Sequence, residues 1–129
     1  MKKITEEWLN SAKADLMIIE KILGDEFLTH QVAFHSQQVI EKSFKAVLEE
    51  YEISFKKTHS LETLSVAVRE TMDIPIDFNM IKILDQLYIE ARYPGEFGLL
   101  PDGKPGLSDA REFFEYSREI YGILLEKLN

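Results

Sequence analysis

The chain has 129 residues and 45% of them are hydrophobic, which is enough for one domain with a core and argues against disorder. A net charge of −8 argues against broad nonspecific binding to nucleic acid, and the absence of cysteine excludes disulfides and thiol nucleophiles. No apolar run approaches the roughly 20 residues of a membrane span, and no apolar secretory segment follows Met1. We therefore expect one cytoplasmic domain over residues 1–129.

Hydrophobic residues recur at helical spacing in five segments, and no segment has the alternation of a strand. The predicted helices run from about Thr5 to Leu23, Thr29 to Tyr51, Ser60 to Met72, Phe78 to Arg92 and Ser108 to Leu128. Thr5, Asp77 and Ser108 are the predicted N-caps. The pattern predicts an all-α, up-and-down four-helix bundle with one additional short helix. Short connections after the first two helices predict antiparallel neighbours.

The segment from Pro94 to Leu107 is predicted to be a long loop. It contains most of the prolines and glycines of the chain. A loop of this length in a compact domain is often functional. Its apolar residues, Phe97, Leu99 and Leu100, predict that it packs down on the bundle or meets a partner.

The second predicted helix carries a stripe of unlike polar residues. The stripe consists of Gln31, His35, Gln38, Lys42, Lys45 and Glu49. These positions follow steps of three and four residues, which is one continuous helical line. The opposite face is predicted to be buried and consists of Ala33, Ile40, Phe44, Val47, Leu48 and Tyr51. An imidazole, amides and two ammonium groups on one line could bind a phosphate or a nucleobase. The alternative is an ordinary polar face, which any surface helix has.

Two further clusters combine cations with helix ends. Lys56, Lys57 and His59 precede the third predicted helix, where an exposed N-terminus near Ser60 adds backbone donors for an anion. Arg92 and the residues after it end the fourth helix, and arginine suits bidentate contact with phosphate. Each cluster also has a plain structural interpretation, in which His59 caps a helix and Arg92 pairs with an acidic residue.

Together the clusters resemble the HEPN domain, a small helical-bundle family. The resemblance covers nearly the whole chain and is carried by Trp8, Ala12, Asp15, Leu16, His35, Gln37, Gln38, Glu41, Lys42, Lys45, Thr58, His59, Leu61, Ala91, Arg92, Tyr93 and Pro94. It implies a four-helix bundle, frequent homodimers and a nucleotide-binding role. It also implies a separately encoded minimal nucleotidyltransferase as partner, in an arrangement similar to toxin–antitoxin pairs.

One departure from the family concerns catalysis. The ribonucleases of this family use an arginine followed by a histidine a few residues later. Here the last histidine is His59 and the first arginine is Arg69, so no arginine precedes any histidine. We therefore expect no catalytic residues and no intrinsic ribonuclease activity. The spacing of His30 and His35 also gives no metal site, and no cofactor is expected beyond a nucleotide such as ATP.

Two functional hypotheses follow. In the first, the chain binds a nucleotide or a nucleotide-bearing partner, and the site residues are His35, Gln38, Lys42, Lys45, His59, Arg92 and Tyr93. In the second, the chain is a protein–protein interaction module and the nucleotide lies on the partner enzyme. A homodimer is also expected, because Met17, Ile18, Ile22 and Phe114 lie off the main apolar stripes of their helices.

Overall fold

The computed structural model describes residues 1–90 and 104–129, apart from the side chain of Glu90. These residues form five α-helices: α1 (Lys3–Ile22), α2 (Thr29–Glu50), α3 (Leu61–Thr71), α4 (Phe78–Glu90) and α5 (Leu107–Leu128). A short 3-10 turn at Glu26–Leu28 leads into α2. The described residues contain no strand, and the predicted all-α helical bundle is confirmed. No helix in these two ranges has the length and apolar content of a membrane span.

α2 is the central helix and packs against each of the other four. Its predicted apolar face is fully buried at Ala33, Ile40, Phe44, Val47 and Leu48. The prediction was wrong for Tyr51, which is half exposed because α2 ends at Glu50. Since neighbours surround α2 on most sides, several of its polar residues are also buried, and the predicted polar stripe is not a simple solvent-facing surface.

α1 and α2 lie antiparallel, as predicted, and are joined by hydrogen bonds at one end. The backbone N–H of Lys2 and the hydroxyl of Thr5 both donate to Glu50 Oε1 at 2.9 Å. The predicted N-cap at Thr5 is therefore wrong. α1 begins two residues earlier, at Lys3, and the buried Thr5 hydroxyl ties the start of α1 to the end of α2.

The connection between α2 and α3 turns back along α2. Glu52 adopts a left-handed backbone conformation with φ of 56°. The N–H of Ile53 then donates to the carbonyl of Leu48 at 2.8 Å, which completes a helix-ending motif that usually uses glycine. The chain returns far enough for the carbonyl of His59 to accept from Gln37. α3 therefore begins beside the middle of α2.

The starts of α3, α4 and α5 follow capping chemistry, and of the predicted N-caps Asp77 is confirmed whereas Ser108, like Thr5, is wrong. Ser60 Oγ accepts from the N–H of Thr63 and starts α3, and Asp77 Oδ1 accepts from the N–H of Met80 and starts α4. Ser108 is not the cap of α5. That helix begins at Leu107, where Asp109 Oδ2 accepts from the N–H of Gly106 at 2.9 Å.

The core has two parts: the larger joins α2, α3, α4 and α5 with Leu9 of α1, and the smaller joins α1, α2 and the start of α5. Phe114 belongs to the second part and is 6% exposed, so its predicted role in a dimer surface is wrong. Met17 and Ile18 do lie on the outside of α1, at 54% and 41% exposure. The predicted loop apolar residues Phe97, Leu99 and Leu100 lie outside the described residues.

Candidate functional site

The first polar cluster joins α1 to α2 and is named here the Asp15 triad: Asp15, His35 and Lys42. Asp15 Oδ1 lies 2.8 Å from His35 Nδ1, and Asp15 Oδ2 accepts from Lys42 Nζ at 2.6 Å. The side chain of Asp15 is 8% exposed. An ionised carboxylate only accepts hydrogen bonds, so Nδ1 of His35 carries the hydrogen. The triad therefore compensates a buried carboxylate with one ammonium and one imidazole.

The second cluster repeats this chemistry and is named the Glu41 triad: Glu41, Lys45 and His59. Glu41 Oε2 accepts from Lys45 Nζ at 2.9 Å, and Glu41 Oε1 lies 3.1 Å from His59 Nδ1. The side chains of Glu41 and Lys45 are 4% and 8% exposed, whereas His59 is 56% exposed. A buried ion pair on α2 thus holds a half-exposed imidazole at its outer end.

Two amides complete the surroundings of Glu41. Gln37 Nε2 donates to Glu41 Oε1 at 3.2 Å and to the carbonyl of His59 at 2.8 Å. Gln38 Nε2 donates to Gln37 Oε1 at 2.7 Å. Two residues of α2 therefore hold His59: Gln37 bonds its backbone carbonyl, and Glu41 contacts its imidazole ring.

A row of aromatic rings connects the two triads. Phe34 meets His35 edge-on with centroids 5.2 Å apart, and it stacks on Tyr88 of α4 at 5.4 Å. Tyr88 in turn lies 5.3 Å from the ring of His59. His35 of the Asp15 triad thus lies at one end of the Phe34–Tyr88 stack, and His59 of the Glu41 triad lies at the other end.

A small cleft opens beside His59 and Tyr88, with a volume of about 290 Å³. It is named here the Asp85 cleft, and the described residues that line it are His59, Ser60, Asp85, Tyr88 and Ile89. Its walls come from the start of α3 and the last turns of α4. The cleft thus lies between two helix ends, and its described lining includes the rings of His59 and Tyr88 and the carboxylate of Asp85.

Asp85 occupies the N-terminus of α3 and overturns one expectation. Its Oδ1 accepts from the N–H of Leu61 at 2.8 Å and its Oδ2 from the N–H of Glu62 at 3.1 Å. Ser60 satisfies the next N–H. The predicted backbone donors for an external anion are therefore already used. Burial raises the pKa of Asp85 above its ordinary value, and the two backbone hydrogen bonds oppose this shift.

The structure brings together five of the predicted site residues. His35 and Lys42 belong to the Asp15 triad, Lys45 and His59 belong to the Glu41 triad, and Gln38 adjoins the latter. Arg92 and Tyr93 lie outside the described residues. The proposed contacts of these residues with a nucleotide stay a prediction.

The sequence analysis did not predict that the acidic residues Asp15 and Asp85 join different helices. Asp15 lies three residues after the buried Ala12 and four before the buried Ile19, so it falls on the apolar face of α1. Asp85 likewise lies four residues after the buried Ile81 on α4. An acidic residue at a core-facing position needs a partner, and this signal was available from the helical spacing.

Comparison with known proteins identifies the family. The family model for the HEPN domain matches residues 5–128, and the chain belongs to the HEPN family. The fold is similar to that of ST0689, an archaeal HEPN homologue, with a TM-score of 0.72, 24% identity and full coverage of both chains. It is also similar to TT1696 from Thermus thermophilus, with a TM-score of 0.77, 25% identity and coverage of 98% and 99%. No match was found among curated proteins.

Proposed function

We propose that this HEPN-family chain is a nonenzymatic interaction protein. Its partner in this proposal is a separately encoded minimal nucleotidyltransferase, in a cytoplasmic pair like those of toxin–antitoxin modules. The nucleotide lies on the partner enzyme. The absence of any arginine before a histidine supports a role without ribonuclease chemistry.

The proposal rests mainly on the observation that the two lysines of the polar stripe on α2 are already ion-paired. Lys42 is paired with Asp15, and Lys45 is paired with the buried Glu41. A phosphate that recruited Lys45 would leave the carboxylate of Glu41 without its ammonium in a site shielded from water, which is strongly unfavourable. The described part of the polar stripe therefore has no lysine without a carboxylate partner to hold a phosphate.

The exposed apolar side chains also favour a protein partner. Met17 and Ile18 form an exposed pair on the outer face of α1, and Val66 and Ile89 are exposed at 60% and 57% on α3 and α4. Contiguous exposed apolar surface often marks an interface. We assign the α1 surface of Met17 and Ile18 to a homodimer, which leaves Val66 of α3 and Ile89 of α4 accessible to the enzyme.

The experiment is a mixing experiment with two purified proteins. The chain and a minimal nucleotidyltransferase from the same organism are combined, and the mass of the eluted species is measured by light scattering after size exclusion. Co-elution as one complex of fixed stoichiometry is the expected result. Separate elution of the two proteins at micromolar concentration would refute the proposed partnership.

A second candidate is a nucleotide site on the chain itself, favoured by the aromatic row. The stacked rings of Phe34 and Tyr88 suit a base, with His35 and Gln38 beside it. In this candidate Lys42, Lys45 and Arg92 hold the phosphates. It requires the two lysines to leave their carboxylates, so binding of ATP by the isolated chain, lost on Lys42→Met, would distinguish it from the interaction protein.

A further inference from the structure

One line of residues on the outer face of α1 has a symmetric charge pattern. Glu7, Ala14 and Lys21 are spaced by seven residues, which is close to two helical turns, so they lie nearly along one line of the helix. All three residues are exposed. Opposite charges therefore lie at equal distances before and after a small residue near the middle of α1.

The apolar side chains of the proposed homodimer surface lie beside this line. Met17 and Ile18 follow Ala14 by three and four residues, so they flank it on the same outer face, and both are exposed. Three and four residues before Ala14, the corresponding positions are Ser11 and Asn10. One half of the face thus has large apolar side chains, and the other half has shorter polar ones.

The two charged ends of the line are not neutralised within the described chain. Glu7 and Lys21 form no ion pair with any residue of 1–90 or 104–129. They are also about 21 Å apart along the helix, at about 1.5 Å per residue, so they do not reach each other. Both charges are therefore available to a second molecule that presents the opposite charges at the same spacing.

We propose that this second molecule is a copy of the chain, bound through antiparallel α1 helices that cross at Ala14. In a two-fold contact of this kind, each residue before the crossing point faces the residue equally far after it in the other copy. Glu7 of each copy then faces Lys21 of the other. A parallel pair would instead place like charges together at both ends, so the charges select the antiparallel arrangement.

The apolar side chains fit the same register. Met17 and Ile18 of one copy lie at the level of Ser11 and Asn10 of the other, so large side chains pack over short ones. Ala14 lies on the two-fold axis, where a small side chain lets the helices approach closely. This inference rests on the proposed function, which assigns the α1 surface to a homodimer, and adds the register and the charge pairs.

The first test is disulfide crosslinking at single introduced cysteines. The chain contains no cysteine, so one introduced thiol can pair only with its own copy. Ala14→Cys lies on the two-fold axis and should form a crosslinked dimer under oxidised glutathione, seen on a nonreducing gel. Asn10→Cys is the matched control, because in this register it is displaced from its copy by eight residues, about 12 Å, which exceeds the reach of a disulfide.

The second test exchanges the charges and measures the Kd of the dimer by analytical ultracentrifugation of a dilution series. Glu7→Lys and Lys21→Glu each replace two attractive contacts by two repulsive ones, and each should raise the Kd about tenfold. The double variant restores opposite charges and should return the Kd to the wild-type value. Lys13→Glu and Glu20→Lys make the same charge changes at exposed positions about 100–120° around the helix from Ala14, and they should leave the Kd unchanged.

Several results would overturn the inference. Crosslinking of Asn10→Cys as readily as Ala14→Cys would indicate parallel helices, and a dimer that crosslinks at neither position would use another register or another surface. A double charge variant as weak as the single variants would reject the Glu7–Lys21 pairs. A monomeric wild type would reject the homodimer and its register together. Neither test contains the nucleotidyltransferase, so separate elution in the two-protein mixing experiment would reject that partner and leave the register intact.

Discussion

The most demanding prediction concerns the buried ion pair of the Glu41 triad. Glu41→Gln keeps the shape of the side chain and one acceptor oxygen, but it removes the charge that Lys45 faces at 2.9 Å. The side chain of Lys45 is 8% exposed and its ammonium lies 5.4 Å from the ring centroid of Trp8, so the ammonium has little access to water. The variant leaves a buried cation without its counter-charge.

The expected loss follows from the burial of both partners. Removal of one member of a buried ion pair costs about 3–5 kcal/mol, so Glu41→Gln should lower the free energy of unfolding by about 3 kcal/mol. Lys45→Met should cost less, about 2 kcal/mol, because Glu41 keeps its contact with His59 and the methionine fills the space beside Trp8. The double variant should cost less than the sum of the two, with a coupling energy of about 1–2 kcal/mol.

The assay is urea unfolding followed by circular dichroism, with Glu52→Gln as the control. Glu52 pairs with Lys2 at 3.2 Å, but its side chain is 82% exposed, so no measurable loss is expected there. A loss for Glu41→Gln as small as that of the control would refute the reasoning. Strict additivity of Glu41→Gln and Lys45→Met would do so as well.

Three further predictions concern a pH dependence, a backbone conformation and an interface. Burial raises the folded-state pKa of Asp85, so its contribution to stability is fully present below the ordinary value of 3.8 and is lost as pH rises through the folded pKa. We therefore expect that, in urea unfolding at increasing pH from pH 3, the free energy of unfolding of the wild type falls relative to that of Asp85→Asn as the pH rises through the folded-state pKa of Asp85. Equal pH dependence of the two proteins would contradict this prediction. Glu52→Gly should stabilise the protein by about 1 kcal/mol in the same assay, because glycine adopts φ of 56° without strain; a loss would contradict the backbone argument. Light scattering should give twice the monomer mass of 15.0 kDa, and replacing Met17 and Ile18 by glutamate should give the monomer; a monomeric wild type would refute the homodimer.

Much of the fold was predictable because helical spacing is a local property. The apolar positions of α2 and the cap at Asp77 depend on neighbours within one or two turns, and the structure confirms them with the exception of Tyr51. The caps at Thr5 and Ser108 were wrong for a physical reason. Thr5 Oγ1 donates to a residue of another helix, which the local pattern could not show. At α5 the deciding contact is local: the carboxylate of Asp109 accepts from the N–H of Gly106, and the helix begins one residue before Ser108.

The sequence predicted which residues form the site, but it did not predict which carboxylate each of them contacts. The polar stripe and the cluster before α3 named both histidines and both lysines of the triads, but helical spacing gives no partner from a different element. Asp15 comes from α1, and His59 reaches Glu41 only because residues 51–60 turn back along α2. The contact with Asp15 of α1 changes the interpretation of Lys42 from a free phosphate ligand to a compensated charge. Lys45 is compensated by Glu41 four residues earlier on the same helix, a pairing that the helical spacing could have shown.

The measurement that tests the central claim most directly is calorimetry of the isolated chain with ATP, ADP, AMP and GTP, with Lys42→Met as the matched variant. Because Lys42 and Lys45 are already neutralised by Asp15 and Glu41, we predict no binding heat for any of the four nucleotides at micromolar concentrations. Micromolar binding of a nucleotide that Lys42→Met abolishes would contradict the account and place the nucleotide on this chain.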